Sequence, residues 1–152
     1  MHTLSQEFLA LCRQLGEAQT RCSEVVAAQA DIDAAVARAA AAVPLRDAAC
    51  FVGLAGTVTT VAAMALDLPE YDASILHGSV VSAAAVEEVT TRLLAMTRAD
   101  RAALPFMHPG RVDVIGAGAM VLRTAIGAAG AADVIVSETD ILDGIAYRLG
   151  AR

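Results

Sequence analysis

The 152-residue chain contains no Trp, and aromatic residues make up only 3% of it. With only three Phe and two Tyr, the core must be built mainly from Ala, Val, Leu and Ile. Lysine is absent as well, and all eleven basic residues are Arg. This excludes a Walker A loop, whose Lys reaches the nucleotide phosphates. The net charge is −6 at pH 7, which argues against nucleic acid as a partner, because that binding needs a basic face. Any anion held here must be held by Arg, hydroxyls, backbone N–H groups or a bound metal. Cysteine is sparse. Cys12, Cys22 and Cys50 form no CxxC and no metal-ligand spacing, which predicts reduced structural thiols and a cytoplasmic location. No secretory leader is expected, since residues 1–15 carry Gln6, Glu7, Arg13 and Gln14 in place of a long apolar run.

What is abundant is small apolar side chains. Hydrophobic residues reach 57%, mostly Ala, Val, Leu and Ile, and the length suits one compact domain. Such a core gathers stability in small increments, at roughly 25 cal/mol per Å² of apolar surface removed from water. Residues 48–66 carry no charge and are long enough to cross a bilayer. The run nevertheless breaks at Gly56-Thr57 and continues as an amphipathic stretch. It reads as strand, turn and helix, with no membrane partner.

Periodicity predicts helices over residues 4–15 and 17–43, the second stopped by Pro44. Residues 49–55 and 132–137 are short apolar runs with turn signals around them, as expected of buried parallel strands. A helix is predicted over 57–68, a loop over 69–79, and a helix over 83–96 capped by Ser82. Thr97 and Asp100 have capping-box spacing for a short helix. A second loop follows from Pro105 to Gly110. Residues 111–128 read either as a helix from about Val112 or as a glycine-rich turn. A terminal helix starts at Asp140. Strands separated by helices imply an α/β sheet with a parallel pair. Two strands alone make a marginal sheet, so further strands are expected upstream of residue 1.

Three stretches carry possible chemistry. In Gly53-Leu54-Ala55-Gly56-Thr57-Val58-Thr59-Thr60 a strand gives way to a helix at a glycine turn. Free N–H groups and the positive end of the helix dipole meet there, which suits a phosphate. An ordinary turn with a threonine cap fits the same residues. Gly116-Ala117-Gly118 invites a dinucleotide reading, but Val121 stands where the third glycine would be. Its alternative is a helix whose glycines pack tightly against the sheet. Ser137-Glu138-Thr139-Asp140 sets acids at the carboxyl end of a strand, where they could order a metal or a water, or simply cap the next helix. His77 and His108 lack a third ligand nearby and read as structural. Arg111 is placed to orient a lobe contact or to pair with an acid.

Together these stretches resemble the exopolyphosphatase and guanosine pentaphosphate phosphohydrolase family, actinobacterial type. The matching pieces are residues 52–66 (VGLAGTVTTVAAMAL), Tyr71-Asp72 with Leu76-His77-Gly78, Met96-Thr97, residues 105–119 (PFMHPGRVDVIGAGA) and residues 134–150 (VIVSETDILDGIAYRLG). The resemblance implies an α/β fold: a partial actin-like (ribonuclease H-like) lobe with a short parallel sheet and several helices. It implies one domain over residues 1–152, with 1–47 a helical lead-in and 48–152 the core of the second lobe. Gly53, Gly56, Thr57, Thr59 and Thr60 would bind phosphate or substrate, and Arg111, Glu138 and Asp140 would face the cleft or the other lobe. The substrate would be inorganic polyphosphate or guanosine pentaphosphate, with Mg²⁺ in the intact enzyme held by ligands outside this chain.

The family's two Asp-containing phosphate loops and its catalytic glutamate have no counterpart in these residues. No catalytic residue is therefore assigned, and activity is expected to need a first lobe or partner chain. A second reading is a non-catalytic binding or assembly module, homo-oligomeric through its unpaired edges. A third is an actin-like kinase lobe that binds adenine nucleotide.

Overall fold

The computed structural model describes residues 2–150, with side chains from residue 22 onward. Helix α1 (His2–Ala42) leads through a 3₁₀ turn (Leu45–Asp47) to strand β1 (Val52–Leu54) and helix α2 (Ala55–Ala65). A single helical turn, α3 (Ala73–Leu76), precedes β2 (Val80–Ser82), α4 (Ala83–Ala95) and α5 (Arg98–Ala102). A 3₁₀ turn (Pro109–Arg111), α6 (Ile115–Ala129), β3 (Asp133–Ser137) and α7 (Ile141–Gly150) complete the order.

The strands form one sheet in the order β1-β3-β2. β1 runs parallel to β3, and β2 runs antiparallel to it. The parallel pair is the one expected from the two apolar runs. The third strand, β2, was not expected from the sequence, and it adds an antiparallel edge to the short parallel sheet. At three residues β2 is too short to show a period, and its last residue, Ser82, is already the cap of α4. The predicted break between the first two helices is also corrected, because α1 continues through Gly16. One glycine among good helix formers costs only about 1 kcal/mol, too little to end a helix.

Helices α2, α4 and α6 pack together over one face of the sheet. Val134 and Val136 of β3 and Val81 of β2 point into them and are buried. They meet Val58, Val61, Val86, Val89, Leu93, Ile115 and Ile126 in a single core. Gly53 lies in the same layer. A Cβ there would sit 2.8 Å from Val58 and 2.9 Å from Val134, so only glycine lets α2 fold back this closely over β1. Within residues 111–128 the helix reading holds, with α6 beginning at Ile115 rather than near Val112, but its glycines do not face the sheet. Gly116 meets Leu94 of α4, and Gly118 meets Thr57 of α2. Small residues there serve helix–helix contact.

α1 packs on α6 along its stripe of Val25, Ala28, Ile32 and Val36, all half-buried. Polar contacts fix that seam. Gln29 donates to Thr124 at 3.0 Å and accepts from Arg123, whose other arm reaches Glu87 at 3.1 Å.

The second face of the sheet is bare. Val52, Ile135 and Val80 stand in one row across the three strands, and Val52 and Val80 are 51% and 58% exposed. Along α7, Ile141, Leu142, Ile145 and Leu149 are exposed as well. No helix among the described residues is long and apolar enough to cross a membrane.

Candidate functional site

At the carboxyl ends of β1 and β3, two strand-to-helix junctions face each other across a pocket of about 230 Å³. Ala55, Gly56, Thr59, Tyr71, Arg111, Ser137, Glu138 and Asp140 line it. The carboxyl ends of parallel strands such as β1 and β3 are the edge of an α/β sheet where ligands collect.

The first junction leaves a helix end open. Leu54 is the N-cap of α2, it offers no side-chain bond, and the first turn holds no acid. Its N–H groups and the positive end of its dipole are thus uncompensated by side chains. The chain enters α2 through Ala55 in the left-handed region, at φ 69°, a conformation that costs a residue with a Cβ roughly 1–2 kcal/mol. Such strain clusters at functional sites.

Arg111 lies over this helix end. A Cβ on Gly56 would fall 2.2 Å from the Arg111 guanidinium carbon, so the close approach that glycine permits here is taken by the arginine. Arg111 Nη1 donates to Thr60 Oγ1 at 3.2 Å, and Thr60 Oγ1 donates in turn to the Gly56 carbonyl at 2.7 Å. Among the described residues, Arg111 makes no ion pair within 4.0 Å. Asp113, its nearest acid in sequence, is taken by Arg98 at 2.7 Å, and that partner lowers the Asp113 pKa.

The second junction satisfies itself. Asp140 accepts from Leu142 N at 2.7 Å, and Asp143 accepts from Asp140 N at 2.7 Å. Together these bonds cap α7, with Asp143 supplying the back-bond to Asp140 N that a capping box would have. Glu138 accepts the Tyr71 hydroxyl at 2.7 Å, and its backbone N–H donates to His77 Nδ1 at 3.2 Å. Burial raises the Tyr71 pKa, a Thr59 bond lowers it, and the neighbouring Glu138 raises it further. His77 and His108, which accepts from Gly110 N at 3.1 Å, both act as backbone acceptors.

Of the residues chosen from sequence, Gly56, Thr59, Arg111, Glu138 and Asp140 come together at the pocket. Gly53, Thr57 and Thr60 do not line it. Gly53 is closed in by valines, Thr57 turns to α6 against Gly118, and Thr60 is 1% exposed. Tyr71 and Ser137 line the pocket and were not chosen. Tyr71 sits in a polar loop 67 residues away from Glu138 in sequence, so no local pattern joins them. Among the described residues no group of three His, Cys, Asp or Glu could hold a metal.

An open helix end and an arginine without a carboxylate partner among the described residues thus meet at the carboxyl edge of the sheet of an α/β domain. The Ppx/GppA phosphatase family matches residues 15–151, and the chain belongs to that family. It is 52% identical over 111 residues to exopolyphosphatase 2 of Mycobacterium tuberculosis, across 70% of this chain and 35% of that protein. The chain thus spans about a third of the curated relatives it matches. The crystal structure of an exopolyphosphatase-like protein superposes with a TM-score of 0.79 at 36% identity, over 86% of this chain and 44% of that one. An exopolyphosphatase from Cytophaga hutchinsonii shares the fold at a TM-score of 0.71 and 18% identity, over 82% of this chain and 40% of its own. The actin-like architecture expected from the motifs is therefore the one observed.

Proposed function

We propose that this chain supplies one edge of the phosphate cleft of a phosphoanhydride hydrolase acting on inorganic polyphosphate. The observation that carries the reading is Arg111, seated over the open N-terminus of α2 and free of carboxylate partners among the described residues. An arginine fork and backbone N–H groups together match the oxygens of a phosphate. Polyphosphate is preferred over guanosine pentaphosphate because the 52%-identical relative is named an exopolyphosphatase. A cytoplasmic location fits this substrate.

Phosphoryl transfer needs positioning, charge neutralisation and an oriented nucleophile. In this reading the pocket contributes the first two, and the general base comes from the first lobe. Glu138 accepts from Tyr71 and Asp140 from Leu142 N, and this reading gives them wall and capping roles. Nor do the described residues gather three His, Cys, Asp or Glu that could hold Mg²⁺ by themselves. In this reading a first lobe completes the cleft and residues 1–47 act as a lead-in that braces α6.

The test is Mg²⁺-dependent phosphate release from long-chain polyphosphate by the purified chain, with and without an upstream lobe from a longer relative. Release only with the lobe supports the reading. Release by the chain alone sinks it, because the general base would then lie within these residues.

One observation favours a second reading as an assembly module. The bare row of Val52, Ile135 and Val80, the exposed stripe of α7 and an apolar groove of about 390 Å³ beside β1 are all uncovered. A stable homo-oligomer that never binds polyphosphate would favour that alternative.

A further inference from the structure

Thr60 was chosen from sequence as a phosphate contact, yet it is 1% exposed and cannot reach a ligand. Its hydroxyl has a different task. The single hydrogen goes to the Gly56 carbonyl at 2.7 Å, which orients an oxygen lone pair toward Arg111 Nη1 at 3.2 Å. We infer that Thr60 is a positioning residue: its buried hydroxyl holds the Arg111 guanidinium over Gly56, ready for an anion. The inference rests on the reading of Arg111 as the anion-binding cation.

The arginine is bracketed from both ends. Its backbone closes the 3₁₀ turn, with Arg111 N donating to His108 O at 2.9 Å. His108 caps that turn through Gly110 N, and Val112 is 3% exposed in the core. The guanidinium end is fixed by Thr60 and by the absence of a Cβ at Gly56. Between these anchors the side chain loses its rotamer freedom on folding rather than on binding, and preorganisation of this kind raises affinity. One of the five donors is used on Thr60, which leaves the others for oxygens of the ligand.

Thr60→Val separates this role from packing. Valine keeps the buried shape and removes only the hydroxyl. The Gly56 carbonyl retains its place in the backbone ladder of α2. Thr60→Ser keeps the hydroxyl and loses a methyl.

The experiment titrates the 152-residue chain and both variants with tripolyphosphate by calorimetry. In parallel it measures the order of the Arg111 Nε–H group by ¹⁵N side-chain NMR without ligand. Thr60→Val should weaken tripolyphosphate roughly tenfold and make Arg111 mobile, while its melting curve stays cooperative. Thr60→Ser should restore both properties. An Arg111 as ordered in Thr60→Val as in the unaltered chain overturns the inference, and so does a Thr60→Ser variant as impaired as Thr60→Val. If the unaltered chain fails to bind tripolyphosphate, the anion reading falls. The ordering of Arg111 then still decides whether Thr60 holds it.

Discussion

The two strand-to-helix junctions of this sheet lie side by side and solve the same problem in opposite ways. At β3→α7, Asp140 and Asp143 both accept backbone N–H groups at the helix start, and the positive end of the dipole is met by the chain's own carboxylates. At β1→α2 there is no cap and no first-turn acid. Instead a strained Ala55 and a cation from a distant turn converge on the helix end. A protein that needed only to end a strand and start a helix would use the first solution twice. An arginine placed at the positive end of a dipole is unfavourable by itself and becomes favourable once an anion arrives. In the proposed reading, the β1→α2 junction is therefore the ligand side and the β3→α7 junction the scaffold.

The strongest way to break the comparison is Gly56→Ala. The new Cβ would overlap the Arg111 guanidinium and drive it from its seat. Tripolyphosphate affinity measured by calorimetry should fall about tenfold or more, the scale of a lost charge-assisted bond. Unchanged affinity would detach Arg111 from anion binding.

Asp140→Ala should act locally and in the opposite sense on the ligand. Loss of the cap costs about 1 kcal/mol of helix stability, which corresponds to roughly fivefold faster amide exchange in the first turn of α7. Tripolyphosphate affinity should rise, because a carboxylate leaves the pocket wall. A fall in affinity would mean that Asp140 binds ligand, and the scaffold assignment would fail.

The smallest effect belongs to the exposed Arg98–Asp113 pair, whose side chains are 68% and 65% exposed. Arg98 holds the Asp113 pKa below its usual value. A carboxylate so lowered contributes stability above its unfolded pKa, and that contribution fades as pH falls through the lowered value. Exposed pairs contribute little, so Asp113→Asn should melt with the parent at pH 7. Any small gap should vanish in acid. A clear gap at pH 7 would show that the pair sets where the Pro109–Arg111 turn, and hence Arg111, sits.

Much of the fold was legible from one-dimensional patterns. The apolar runs at 49–55 and 132–137 contain β1 and β3, and Ser82 and the Thr97–Asp100 box cap the helices they precede. Caps and buried strands are local features, so sequence spacing reports them. β2 escaped because three residues show no period. The antiparallel pairing it adopts depends on β3, more than fifty residues further on.

The site was legible only in part, for the same reason. Gly56 was chosen for a ligand's approach, and the structure places Arg111 there. Thr57, Thr59 and Thr60 are consecutive or nearly so, yet the turn of α2 sends Thr57 to Gly118, Thr59 to the pocket and Thr60 into the core. A helix rotates successive side chains by about 100°, and which of them faces a ligand depends on what covers the other faces.

The sequence by itself determined an Ala- and Val-rich α/β domain with arginine as its only fixed cation, a glycine turn between strand and helix, and a capped terminal helix. Those properties follow from composition and from contacts within a few residues. Tertiary structure alone decided that Arg111, 51 residues beyond Thr60, lies over the open end of α2, and that Tyr71 and Glu138 close the opposite wall. Helix packing fixes such meetings, because only the folded layers of α2, α6 and the sheet bring those distant segments to one edge.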